Sequence, residues 1–167
     1  MDSYILYYRN TSFLKSAIVL FVISTLLKII LMPFGGFLID IFNLKDFIYT
    51  AAAQIPEISY KDFLVGILIA PFIETIIGQY LPLSMLSKFN FSNTYKVIIS
   101  GLFFSLLHLP VVEFLPSAFG VGVCLSIGFL SRYKYKNNLK EALILTYCIH
   151  FLHNLFAFLV VYIFANY

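Results

Sequence analysis

The sequence predicts an all-α membrane protein, a polytopic bundle of transmembrane helices, and three observations lead to that prediction. Hydrophobic residues make up 61% of the 167-residue chain and charged residues only 11%, whereas soluble domains carry about 45–50% and about 25%. The apolar residues occur in runs of a length that crosses a bilayer as a helix, which takes roughly 20 residues. The basic residues lie in the short gaps between these runs, as they do in polytopic proteins.

Five apolar runs are expected to span the bilayer. The first is expected to stop at Pro33 and Gly35-Gly36, which would leave Lys28 near enough to its end to reach the membrane surface. A helix-breaking proline and two adjacent glycines favour such a stop. The five predicted spans cover residues 13–32, 63–85, 97–112, 117–131 and 141–165.

A further segment, residues 37–55, contains three charged residues at 40, 45 and 46. Its apolar residues recur with a helical period, so it is predicted to form an amphipathic helix at the membrane interface. A sixth span is the alternative. In both cases the chain is expected to form one domain over residues 1–167, and Pro56 through Asp62 form a polar connection.

The distribution of Lys and Arg predicts the orientation. Residues 132–140, RYKYKNNLK, are the densest basic stretch and are expected in the cytoplasm. Alternation of five spans places the amino terminus, with Arg9 and Lys15, on the same side. We therefore expect an integral protein of the bacterial cell membrane with a cytoplasmic amino terminus. The lipid bilayer is an expected partner and nucleic acid is not, because the net charge of +3 forms no basic face.

Four polar side chains lie inside the predicted spans, where lipid offers no partner: Glu74, His108, His150 and Asn154. A carboxylate at this depth is costly unless it faces the bundle interior and finds a partner. His150 and Asn154 are four residues apart and share a helix face. Together the four supply a general base, a second proton-transfer group and donors for an oxyanion. A small proton-coupled transporter is an alternative use of a midplane carboxylate.

The motifs around these residues resemble those of the CPBP family, which contains the CAAX proteases and bacteriocin-processing enzymes and is also called the Abi family. The family pattern is EExxxR on one span, FxxxH on a later one and HxxxN on the last. This chain has ETIIGQ at 74–79, FSLLH at 104–108 and HFLHN at 150–154. The resemblance covers a protease-like core of about residues 60–165.

The first motif departs from the family pattern at two positions. Thr75 replaces the second Glu and Gln79 replaces the Arg. In the family pattern these two charges lie four residues apart and could pair along one helix, and this chain lacks both of them. Losing only one of the two charges would leave a buried charge without a partner, which is expensive. We expect Thr75 and Gln79 to hydrogen-bond to each other or to nearby backbone and to support Glu74.

The resemblance implies an intramembrane endopeptidase that cleaves a peptide or membrane-protein substrate. Glu74 and His108 would activate a water molecule, His150 and Asn154 would donate hydrogen bonds to the oxyanion, and Phe104 would support His108. If a metal is used, Glu74, His108 and His150 are the zinc ligands. A metal-free mechanism is slightly favoured because the chain lacks an HExxH helix. A non-catalytic bacteriocin-immunity or membrane scaffold protein of the same fold is the alternative function.

Overall fold

The structure is a computed structural model that describes residues 3–43, 60–109 and 111–166, and these ranges form six helices and contain no strand. The predicted all-α helical bundle is therefore confirmed. In chain order the helices are α1 (Ser3–Asn10), α2 (Phe13–Phe42), α3 (residues 60–86), α4 (Asn93–Leu106), α5 (Leu115–Lys136, preceded by the 3-10 turn Val112–Phe114) and α6 (Leu139–Asn166).

Four of the described helices are long and apolar enough to cross a membrane: α2, the 65–86 part of α3, α5 with its preceding turn, and α6. Helix α4 has 14 residues and is about 21 Å long at 1.5 Å per residue, shorter than a hydrocarbon core of about 30 Å. The prediction of a full third span over 97–112 is therefore wrong. The helix ends before Pro110 because a proline disfavours helical geometry in the residue that precedes it.

Helix α2 continues through Pro33 to Phe42, so the predicted stop at Pro33 and the two glycines is wrong. Membrane helices tolerate an internal proline because neighbouring groups satisfy the backbone carbonyl that it frees. Residues 37–42 belong to α2, so no separate interfacial helix begins at residue 37. The remainder of that predicted helix, residues 44–55, lies outside the described residues.

The two glycines of α2 have different surroundings. A Cβ atom added to Gly35 would overlap the backbone carbonyl of Glu113, whereas one added to Gly36 would meet no atom of another described element within 4 Å. Gly35 is therefore the point at which α2 meets the turn Val112–Phe114. Gly35 therefore serves the packing of α2 against this turn, and it does not mark the end of the helix.

We expect Gly35→Ala to destabilise the bundle by about 1–3 kcal/mol, because the backbone at Glu113 must move to admit the methyl group. Gly36→Ala is the matched control and should be neutral or slightly stabilising, since alanine is the better helix former. Thermal unfolding in detergent measures both. Equal unfolding midpoints for the two variants would contradict the close packing at Gly35.

Helix α5 lies at the centre of the bundle and packs against α1, α2, α4 and α6. Its residues Leu125, Phe129 and Leu130 are completely buried. The outer face of α2 instead exposes large apolar side chains, among them Leu14, Ile18, Leu26 and Ile29. Because lipid rather than water can cover such a surface, the chain is an integral membrane protein.

Helix α3 contains two wide π-helical turns, Val65–Ile69 and Ile76–Tyr80. Each turn lies just before a proline, Pro71 in one case and Pro82 in the other. A proline ring clashes with the carbonyl four residues earlier and donates no hydrogen bond, and a widened turn relieves that clash. Such π-bulges are frequent at functional sites, and Glu74 lies in the α-helical segment Ala70–Thr75 between the two turns.

Three segments rich in polar residues meet at one side of the bundle. The Tyr4 hydroxyl is 3.2 Å from Thr94 Oγ1, and Lys134 Nζ donates to Asn93 Oδ1 at 2.9 Å. The beginning of α1, the beginning of α4 and the end of α5 therefore share this side. Residues 132–136, predicted within a loop, are helical because α5 extends to Lys136.

Candidate active site

Glu74 and His150 are neighbours in the structure. Glu74 Oε2 lies 3.3 Å from His150 Nε2, which joins α3 to α6. The His150 side chain is 3% exposed and that of Glu74 is 30% exposed, so the carboxylate is half-buried rather than buried as its position in the apolar run suggested. Glu74 therefore has a partner inside the bundle, and part of its side chain remains exposed at the bundle surface.

His108 lies in the turn that follows α4, not in the middle of a span as the sequence suggested, because α4 ends at Leu106. Its Nδ1 is 3.1 Å from the carbonyl oxygen of Phe104. A carbonyl can only accept a hydrogen bond, so this contact places the proton of a neutral ring on Nδ1. Nε2 then retains a lone pair that can take a proton from water.

Phe104 contacts both of these histidines. Its ring centroid lies 5.0 Å from that of His108 and 5.3 Å from that of His150. The ring is held between two glycines: a Cβ on Gly78 would lie 2.7 Å from Phe104 Cδ2, and one on Gly122 would lie 2.9 Å from Phe104 Cβ. The aromatic contact predicted for His108 is therefore present, and close helix packing fixes its position.

Asn154 also joins α6 to α3. Its Nδ2 donates to the carbonyl oxygen of Gly66 at 2.9 Å. In the π-helical register, in which Ala70 bonds to Val65, this carbonyl would accept from residue 71, but Pro71 has no N–H. Asn154 thus replaces the missing donor, and its amide retains a second N–H for another acceptor.

Ser100 donates to a carbonyl close to the other proline of α3. Its hydroxyl donates to the carbonyl oxygen of Gly78 at 3.1 Å, and Gly78 lies four residues before Pro82. A side chain from another helix therefore satisfies a carbonyl near each proline, as expected in an apolar environment.

A small cavity lies where α2, the end of α4, the beginning of α5 and α6 meet. Its volume is about 70 Å³, and its lining residues are Lys28, Phe104, His108, Phe114, Ser117, Ala118, Val121, His150, His153 and Asn154. Three of the four polar residues singled out from the sequence therefore line one cavity, and the fourth, Glu74, contacts His150. The geometry brings together an acid, two imidazoles and an amide.

Thr75 and Gln79 do not form the hydrogen bonds predicted for them. Both side chains are almost completely buried, yet Thr75 Oγ1 and both amide atoms of Gln79 lack a partner among the described residues. The two side chains lie along α3 without reaching each other or a free carbonyl. That prediction was wrong, because residues four apart share a helix face but their short polar groups need not meet.

The zinc alternative does not fit the observed geometry. Within the described ranges, no three or more His, Cys, Asp or Glu side chains are grouped so that they could hold a metal ion. Glu74 and His150 are close, and His108, whose Nδ1 bonds to the Phe104 carbonyl, keeps its Nε2 free. The three side chains are nevertheless not grouped closely enough in the described structure to hold one ion, and we derive no step through a metal.

Two residues of the cavity were not assigned to it from the sequence. Lys28 was expected to reach the membrane surface, but it lies halfway along the long helix α2 and lines the cavity. His153, which is not a fixed position of the family pattern HxxxN, packs its ring 6.5 Å from that of Phe21, and neither of its ring nitrogens has a partner in the described chain. Helical spacing could have assigned His153 to the cavity, because it lies three residues after His150 and adjoins the same helix face.

Comparison with known proteins supports the resemblance seen in the motifs. The family model described as type II CAAX prenyl endopeptidase Rce1-like matches residues 56–156. No curated protein and no solved structure matches the chain. The matched region contains all three motifs and covers more than half of the sequence. The chain therefore belongs to the type II CAAX prenyl endopeptidase Rce1-like family, a branch of the CPBP family.

Proposed function

We propose that this protein is an intramembrane endopeptidase that cleaves a peptide or membrane-protein substrate by means of an activated water molecule. The observation that carries the proposal is the contact of Glu74 with His150, beside a cavity lined by His108 and Asn154. A family of membrane proteases supplies the reaction class. The side chains supply a base, proton-transfer groups and hydrogen-bond donors in one place.

Glu74 and His108 are the two side chains proposed to hold and deprotonate the water molecule. Glu74 is partly exposed, and the proposal places the water molecule at its carboxylate. His108 has its Nδ1 engaged by Phe104, so its Nε2 lone pair can accept a proton. The carboxylate and this imidazole would hold the water between them, and one of them would take its proton as the oxygen attacks the peptide carbonyl.

His150 and Asn154 are the proposed donors to the tetrahedral oxyanion. The free N–H of Asn154 can reach a new acceptor while its other N–H stays on Gly66. His150 has a partner at Nε2 and none at Nδ1, so when it is doubly protonated it can pair with Glu74 and donate from Nδ1. Donors fixed in advance by the protein stabilise developing charge without rearrangement.

The most direct test compares the peptide fragments in membranes of cells that contain the wild-type protein with those of cells that contain Glu74→Gln. The proposal expects at least one fragment pair that occurs only with the wild-type protein. A second comparison, without either protein, separates cleavage by this chain from background. Identical fragments in all three samples, with the protein present at equal levels, would contradict the proposal.

We expect Asn154→Ala to lower the cleavage rate by roughly 100- to 1,000-fold, the usual cost of losing one oxyanion donor. The change should also lower stability by about 1–3 kcal/mol, because the Gly66 carbonyl loses its donor. The matched control is Ser100→Ala, which removes the corresponding bond to Gly78 but does not line the cavity. Both variants should unfold at lower temperature, and only Asn154→Ala should cleave slowly. Equal rate losses would reduce the role of Asn154 to a structural one.

A non-catalytic immunity or scaffold role is the second candidate, and the altered first motif supports it. Thr75 and Gln79 stand where the family pattern has a charged pair, and their buried polar atoms lack partners among the described residues. An expression assay separates the two functions. If cells are protected from a peptide toxin equally well by the wild-type protein and by Glu74→Ala, the protection does not depend on catalysis.

The proposed orientation places the polar side of the bundle in the cytoplasm of a bacterial cell. Lys134 and Arg132 at the end of α5 lie at the same side as α1, and basic residues favour the cytoplasmic side. The substrate would then be a peptide or membrane protein whose scissile bond reaches the site from within the membrane or from its surface.

A further inference from the structure

Lys28 occupies an unusual place for a lysine. It lies halfway along α2, where either end of the helix is roughly 20 Å away at 1.5 Å per residue. A charged side chain at this depth is costly, and such residues face the bundle interior and serve a function. Lys28 faces the cavity beside His108 and His150.

The described lining of the cavity offers no negative charge to match this lysine. None of the described residues that line it is an Asp or Glu, and no described carboxylate forms an ion pair with Lys28. Glu74, the nearest functional acid, pairs with His150. Lys28 is only partly buried, but a charge inside the bundle without a counter-charge is still costly, so a negatively charged group that enters from outside the chain would complete the arrangement.

Two histidines add further polar atoms without partners. His153 is 4% exposed, and both of its ring nitrogens lack a hydrogen bond in the described structure, as does Nδ1 of His150. Buried polar groups nearly always have partners. These atoms and the Lys28 ammonium belong to side chains that line one cavity, so a single small acceptor could satisfy several of them.

We propose that Lys28 and His153 form a subsite for an anionic oxygen in this cavity. The proposal rests on the proposed peptidase function and extends it to substrate recognition. The anionic oxygen has two sources in that reaction: the terminal carboxylate of a bound peptide, or the oxyanion formed as the peptide bond is attacked. Lys28 donates from its ammonium, and His153 donates from one ring nitrogen.

The cavity volume is consistent with a ligand group of this size. A volume of about 70 Å³ exceeds the roughly 10–15 Å³ that one water molecule needs in the same measure. The cavity is therefore large enough for a small polar group such as a carboxylate.

The binding experiment uses Glu74→Gln, which does not consume the probe. The probes are N-acetyl-Ala-Leu-Leu as the free acid and as the C-terminal amide, and their affinities follow from the shift of the unfolding midpoint with peptide concentration. If the carboxylate is the ligand, the acid binds roughly 10- to 100-fold more tightly than the amide, as expected for hydrogen bonds to a charged group. Adding Lys28→Met removes this preference, and adding Lys28→Arg retains it.

The kinetic experiment tests the other source, with Glu74 intact and a substrate peptide taken from the fragment comparison. If the oxyanion is the ligand, Lys28→Met lowers kcat by roughly 10- to 100-fold and leaves KM unchanged, and the acid and amide probes bind equally. Lys15→Met is the matched control, because Lys15 lies on the same helix but is exposed near its beginning. It should change neither measurement.

The outcomes separate this proposal from the proposed function. If Lys28→Met equals the wild type in both experiments while Glu74→Gln abolishes cleavage, the subsite is refuted and the peptidase stands. If the acid preference depends on Lys28 but no peptide is cleaved, the subsite stands and the peptidase is refuted. A lysine without a counter-charge adds no stability, so Lys28→Met should unfold at the same or a higher temperature. A clearly lower midpoint would show a structural role and overturn the proposal.

Discussion

Replacing Glu74 by Gln should lower the cleavage rate by roughly 100- to 10,000-fold, the range expected when a general base is lost. The amide has nearly the same shape as the carboxylate, and it can still accept a hydrogen bond from His150 across the 3.3 Å contact. It cannot take a proton from water. The loss should therefore appear in kcat, with KM little changed, in a purified preparation supplied with the substrate peptide.

The control for this prediction is Glu113→Gln. Glu113 lies in the turn Val112–Phe114, beside a residue that lines the cavity, but its own side chain does not line it. The same chemical change at this position should leave kcat and KM within about twofold of the wild type. Comparable losses in both variants would show that a general effect of charge, not the base at position 74, limits the rate.

The sequence was sufficient to predict the helical bundle and to single out most of the polar side chains that meet in the candidate site, because both depend on strong local signals. Long apolar runs predict membrane helices whatever their packing. Glu74, His150 and Asn154 were found because polar side chains inside such runs are costly and usually serve a function. Helical spacing then predicted that His150 and Asn154 share a helix face. In the structure the carboxylate of Glu74, from another helix, lies 3.3 Å from the ring of His150.

What the sequence could not predict depends on contacts between helices. Gly35 looked like a helix terminator, but the backbone at Glu113 packs against it and α2 continues. That one difference moves Lys28 from a helix end to the centre of α2 and into the cavity. Likewise, no local pattern shows that Asn154 would donate to the carbonyl left open by Pro71.

Arg132 should be one of the strongest single contributors to stability, although the sequence analysis assigned it only to a basic stretch between two spans. It is completely buried at the end of α5. Its guanidinium donates to the carbonyl oxygens of Arg9 and Thr11 at 3.4 and 2.9 Å and to Ser16 Oγ at 2.8 Å. It also lies 3.3 Å from Glu141 Oε1. One side chain therefore joins the α1–α2 connection, the first turn of α2 and the beginning of α6.

We expect Arg132→Met to lower the free energy of unfolding by about 3–5 kcal/mol, because it leaves buried acceptors and Glu141 without their donor. Arg132→Lys keeps the charge but loses the planar fork that reaches several acceptors at once, so it should recover only part of this loss. Lys136→Met is the matched control: Lys136 shares Glu141, at 3.4 Å, but is exposed, so its effect should stay within about 1 kcal/mol. Unfolding in detergent at increasing denaturant measures all three. If Arg132→Met and Lys136→Met are equally stable, Arg132 does not hold these helices together, and the basic stretch contributes charge alone.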